Sequence, residues 1–177
     1  MGSLNDLARQ IHTDNYRWWH DLHTDERLVR NKGELIALMH SEISEAHDAL
    51  VSESNDDKLP HLPGEHVEIA DFAIRVFDYA GAYGFDLDDG AVLPHFVEHN
   101  VGIMLLELHS ATSALLEATR KDQPEAKLVQ RMIRLAYLYA NIRSFDLDQV
   151  IAEKRAFNAT RKDHTKEARL AAGGKKF

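Results

Sequence analysis

The sequence predicts an all-α protein, an up-and-down helical bundle, and three observations carry that prediction. Apolar residues recur three and four apart along most of the chain. Alternating β-branched runs are missing. Gly, Pro, Asn and Asp gather in short stretches between the periodic runs. At 177 residues the chain can bury a real core, and we read residues 1–177 as one domain. It divides into an acidic half over 1–91, an inserted or degenerate second copy over 92–143, and a basic end over 144–177.

In chain order, Leu4 to His23 reads as a first helix, with Leu4, Leu7, Ile11, Trp18 and Leu22 inward. Trp18 and Trp19 are candidates for stacking on a base or for filling the core. Thr24 to Lys32 is a charged connector. Glu34 to Leu50 follows, with Leu35, Leu38, Met39, Ile43, Ala46 and Leu50 on one face. A Ser/Asn/Asp/Pro/Gly-rich turn, Ser52 to Gly64, predicts an antiparallel partner, which runs to a Gly81/Gly84 stop. Val101 to Thr119 and Leu128 to Ile142 are two more helices, with Pro124 suited to the first turn of the second. Asp146 caps a last helix to about Arg161.

Two acidic pairs lie within the first antiparallel unit, Glu42-x-x-Glu45 and Glu68-x-x-Asp71. Residues three apart are neighbours on a helix, so each pair points one way, beside its apolar stripe. Four carboxylates gathered at the edge of a core repel one another until a cation neutralises them. Oxygen ligands without Cys favour a hard ion, Mg²⁺ or Mn²⁺. Solvated helix faces also carry such pairs, so the pattern alone leaves both readings open. Glu34 and Glu65, near helix starts, suit the helix dipole and are outer-shell candidates second. His12, His20 and His23 are read as surface or cap residues. His40 and His47 flank the Glu pair, placed to orient a carboxylate or simply exposed. On the last helix Lys154, Asn158 and Arg161 are spaced four and three apart, a face suited either to phosphate oxygens or to solvent.

The segment Phe85-Asp86-Leu87-Asp88 returns sixty residues later as Phe145-Asp146-Leu147-Asp148. At that offset Tyr79 falls on Tyr139, Phe72 on Met132, Glu68 on Leu128 and Asp71 on Arg131. Glu42 to Ala46 resembles Glu107 to Ala111 at a slightly larger offset. A degenerate internal duplication, its second copy stripped of acids, is the reading these matches suggest.

Composition narrows the function classes. With 21 basic and 29 acidic residues the net charge is −8, against a nucleic-acid coat or an anionic membrane surface. No Cys means no disulfide framework and no thiolate chemistry. Neither a secretory signal nor an apolar run long enough for a bilayer is read, so the expected location is cytoplasmic.

The ordered set Glu42-x-x-Glu45, Glu68-x-x-Asp71 and Lys154-x-x-x-Asn158-x-x-Arg161 resembles the MazG-like branch of the all-α nucleoside triphosphate pyrophosphohydrolases. The phrase Gly33-Glu-Leu-Ile-Ala-Leu-Met-His-Ser-Glu-Ile-Ser-Glu-Ala46 is similar to that family's first acidic helix, and Arg161 to Phe177 to its tails. The likeness covers about Leu4 to Ala91 and Phe145 to Phe177. One departure stands out: Pro94 and Glu98 occupy the places of the Lys and Asn after the second acidic helix, and the basic set comes only after the second copy.

The resemblance implies hydrolysis of a (deoxy)nucleoside triphosphate to the monophosphate and pyrophosphate, in nucleotide-pool control or house-cleaning. It implies Mg²⁺, with Mn²⁺ as a substitute, on Glu42, Glu45, Glu68 and Asp71. Glu45, with Glu42, would serve a water attacking the α-phosphorus, while Lys154, Asn158 and Arg161 hold the substrate with Trp18 near its base. A homo-oligomer, a dimer first, is the expected assembly, although the extra helices are placed to supply packing that a neighbouring subunit gives elsewhere. Rival readings are a dimeric-dUTPase-like or phosphoribosyl-ATP pyrophosphatase-like activity, and a non-catalytic helical interaction protein. A di-iron bundle would want Glu-x-x-His on two helices, and that tetrad is missing from the chain.

Overall fold

Helix α3, Gly64–Tyr83, is apolar on nearly every side, and a helix of that kind has to be surrounded. A computed structural model describes residues 3–88, 100–171 and 173; Pro94, Glu98 and most of the tail lie outside them. Around α3 are packed α1 (Leu4–Asp14), α2 (Lys32–Ser52), α5 (Ala126–Ile142) and α6 (Leu147–Thr160). Helix α4 (Val101–Arg120) closes the bundle against α2 and α5, and a short α7 (Lys166–Leu170) follows. Among the described residues there is no strand, and the chain is all-α.

Ala49 abuts Gly64 at the loop end of α2 and α3, and further along Glu42 meets Asp71 and Arg75. One helix therefore descends as the other rises, the antiparallel pair that the turn predicts. Asp56, 5 % exposed, pins that turn by accepting the backbone N–H groups of Lys58 and Leu59. Asn31, Asn100 and Asp146 cap α2, α4 and α6 with side-chain oxygens on orphan N–H groups.

The first helix is shorter than the periodicity suggests. It ends at Asp14, and a 3₁₀ turn covers Tyr16–Trp18. The cause is Asp78 on α3, whose carboxylate gathers Asn15 Nδ2 at 3.0 Å and Trp19 Nε1 at 3.0 Å, with His12 Nδ1 at 2.7 Å. A continuous helix would turn Trp19 away from that acceptor. Trp19 is consequently the buried member of the pair, not Trp18.

The expected Gly81/Gly84 stop falls at Gly84, whose left-handed φ of 69° ends α3. Gly81 instead permits α1 to lie close, since a Cβ there would sit 2.6 Å from the Ala8 carbonyl oxygen and 2.7 Å from His12 Cβ. Gly81→Ala should cost about 2 kcal/mol by overpacking, lowering the melting temperature by roughly 4–8 °C. An unchanged melt would contradict this close approach.

Helix α4 differs from expectation in another way: at 20 residues it is long and apolar enough, by length and composition, to cross a bilayer. Here Met104, Leu105, Leu108, Ala111 and Leu115 of this helix belong to the core.

Some positions sixty apart share burial and a turn hydrogen bond. Tyr79 and Tyr139 are both fully buried, as are Phe72 and Met132. The N–H of Phe85 donates to the Ala80 carbonyl and that of Phe145 to the Ala140 carbonyl, each at 3.0 Å. Where the first pair of helices sets Glu42 beside Asp71, the second sets Glu107 2.9 Å from Arg131.

Candidate metal and phosphate site

Glu42 on α2 and Glu68 and Asp71 on α3 each offer a carboxylate oxygen, and these three atoms lie within 4.8 Å of one another. Glu42 is buried, and the other two are half-buried at the lip of the core. Glu68 and Asp71 share a face by their spacing of three, and the antiparallel packing brings Glu42 across to them.

The cluster is charged against itself, and the chain answers with two cations. Arg75, one turn beyond Asp71, donates from Nε to Glu42 Oε1 at 2.5 Å. Lys154 of α6 brings its ammonium 2.7 Å from Asp71 Oδ2, with a side chain only 3 % exposed. Burial alone would lower the Lys154 ammonium. Asp71, with Asp56 and Glu68 beyond it, more than reverses this and holds it above the ordinary lysine value. Among the described residues, Glu68 has no such cation at ion-pair distance. Its burial, together with Asp71 and Glu42, pushes its carboxyl up to about 8. Oxygen donors short of compensating charge, on two braced helices, fit a hard divalent ion.

Beside the cluster opens a cleft of about 600 Å³, the size of a small-ligand site. Its lining includes Asp71, Arg75, Lys154, Asn158 and Arg161, together with Asn15, Trp18, Leu35, Leu38 and Asp78. Asn158 Oδ1 is buried with no hydrogen-bond partner, a group that wants a donor. The chain matches no family model, no curated protein and no solved structure.

Of the residues singled out in the sequence, Glu42, Glu68 and Asp71 come together, and Trp18, Asn158, Arg161 and Lys154 share the cleft with Asp71. Glu45 does not join the three; it is exposed on α2. Residues three apart still differ by about 60° around the axis, and only Glu42 is turned to α3. Arg161 stands just past α6 in extended backbone, so it reaches the cleft from the turn and not from the helix face. Its guanidinium meets Asp163.

The histidines beside the acids turn elsewhere, with His40 Nδ1 2.8 Å from His109 Nδ1 and His47 exposed near Asp48. Glu65 is structural, binding Arg143 at 2.5 Å, and Glu34 is exposed. The loop 52–64 and the helices α4 and α5 contribute nothing to the cleft lining.

Sequence reasoning missed Arg75, Asp78 and Arg155. For the first two the signal was present, since 71, 75 and 78 are four and three apart and share one face of α3. Arg155 had none: it closes on Asp14 at 2.7 Å, a contact between chain ends that no local pattern encodes. Arg169, stacked 4.0 Å over Trp18, and Arg17, donating to the His164 carbonyl, likewise join distant parts of the chain.

Proposed function

We propose that this protein hydrolyses a (deoxy)nucleoside triphosphate to the monophosphate and pyrophosphate with the help of Mg²⁺ or Mn²⁺. One observation carries the reading: three carboxylates within reach of a single cation stand beside a cleft that Asp71 shares with Lys154, Arg161, Trp18, Leu35 and Leu38. The ordered likeness to the all-α pyrophosphohydrolases points the same way. A divalent ion on Glu42, Glu68 and Asp71 would supply Lewis acidity to a phosphate oxygen and to a water.

The chain does the rest. Lys154 and Arg161 neutralise charge growing on the pyrophosphate leaving group. Asn158 Oδ1, buried and unsatisfied, accepts from a sugar hydroxyl. Leu35, Leu38 and the Trp18 ring give the base an apolar seat. Glu45, exposed one turn from Glu42, is the candidate to carry a proton out to solvent. We place the activity in nucleotide-pool control or house-cleaning in the cytoplasm, in a homo-oligomer.

The test is a panel of the eight common NTPs and dNTPs, with Mg²⁺, with Mn²⁺ and with EDTA. Metal-dependent conversion of one or a few to monophosphate and pyrophosphate is expected. Release of orthophosphate would overturn attack at the α-phosphorus. No turnover, with no metal binding in calorimetry, would return the non-catalytic reading, for which the internal pairs Glu42–Arg75 and Asp71–Lys154 are the specific support.

A further inference from the structure

Resting on that reading, we propose that Arg75 is a further substrate-binding residue, one that grips the phosphate chain with the outer edge of its guanidinium while Glu42 holds the inner edge. Arg75 lies four residues after Asp71, hence one turn along the same face of α3. A phosphate group at the three carboxylates therefore has Arg75 as its next neighbour on that face. The side chain is 37 % exposed and lines the cleft.

Only Nε is engaged, on Glu42 Oε1; Nη1 and Nη2 make no hydrogen bond to any described residue. Compare two other arginines of the cleft. Arg155 directs Nε and Nη2 at the Asp14 carboxylate, and Arg161 directs the same two atoms at Asp163. Arg75 thus presents a planar edge of two amino groups, the fork that matches two phosphate oxygens.

Glu42 gains a second task by this arrangement. One of its oxygens fixes the Arg75 plane by a charge-assisted bond, which removes most of the rotamer freedom that a long side chain loses on binding. Its carboxylate also belongs to the metal cluster, so the same group ties the orientation of the arginine to the place of the cation. Lys154, a compact charge 3 % exposed and seated on Asp71, cannot provide that planar grip.

The experiment uses calorimetry on the full chain with probes that need no knowledge of the base: MnCl₂ alone, then inorganic tripolyphosphate with Mg²⁺, then orthophosphate with Mg²⁺. Arg75→Gln is expected to keep Mn²⁺ affinity within about threefold and to weaken tripolyphosphate by about tenfold or more. Orthophosphate, with a single phosphate group to offer both the ion and Arg75, should weaken less than tripolyphosphate does. Arg75→Lys should recover only part of the tripolyphosphate loss, because it restores charge without the fork.

If Arg75 only braces Glu42, Arg75→Gln loses Mn²⁺ affinity and leaves the ratio of tripolyphosphate to orthophosphate binding as in the natural chain, which overturns the proposal. Equal tripolyphosphate binding by Arg75→Gln and the natural chain overturns it too, while sparing the hydrolase reading. Should the natural chain itself fail to bind tripolyphosphate with Mg²⁺, the hydrolase reading falls and this inference with it.

Discussion

Asp71→Asn is expected to lower metal-dependent turnover by about a thousandfold or more, the scale of losing a group that both holds the cation and shapes the field at the reacting phosphate. The substitution keeps the side-chain shape and leaves an oxygen for Lys154 to donate to, so the bundle should still fold. It does leave Lys154, 3 % exposed, without its full counter-charge. Some loss of stability, about 2–3 kcal/mol, is therefore expected as well. The readouts are pyrophosphate release and a circular-dichroism melt on the same sample. Glu45→Gln serves as the contrast, since Glu45 lies outside the cluster and should retain metal affinity. Full turnover by Asp71→Asn would remove the cluster from the reaction altogether.

The second large effect is on stability and depends on metal. Lys154→Met should destabilise the protein in EDTA by about 3 kcal/mol, because the Asp71 carboxylate is left beside Glu42 and Glu68 with its nearest cation gone. A divalent ion binding the folded state raises stability by mass action. It should raise the melting temperature of Lys154→Met more than that of the natural chain, since it supplies the charge the mutation removes. Asp71→Asn should show no such recovery. Of two variants of one ion pair, only one is then rescued by Mg²⁺, which a general packing defect cannot produce. Identical melts of Lys154→Met in EDTA and in Mg²⁺ would refute a cation site at Asp71.

How much of this was legible in the sequence follows from what is local and what is not. Helices α2 to α6 announce themselves through their apolar period, and α6 also through its cap, because Asp146 acts within three residues of where it stands. The meeting of Glu42 with Glu68 and Asp71 was also readable, since a short polar loop forces the antiparallel pairing. What failed was decided at a distance. Asp78 ends the first helix from across the fold by gathering His12, Asn15 and Trp19, and that exchanged the expected places of the two tryptophans. Glu45 failed for a finer reason: a spacing of three places two side chains on the same side of a helix but not at the same angle. Arg75 was not singled out, although it stands four residues after Asp71 on the same face of α3.

The Glu107–Arg131 pair on α4 and α5 has a consequence for how the two halves answer their surroundings. One half carries its neutralising charge covalently, as a side chain that dilution and chelators cannot remove. In the other, Arg75 and Lys154 pair with Glu42 and Asp71, and the proposed divalent ion would answer the remaining charge of Glu68. With such an ion, a chelator would act on α2 and α3 and leave the pair on α4 and α5 untouched. One half of a single chain would then register the supply of divalent ions while the other does not.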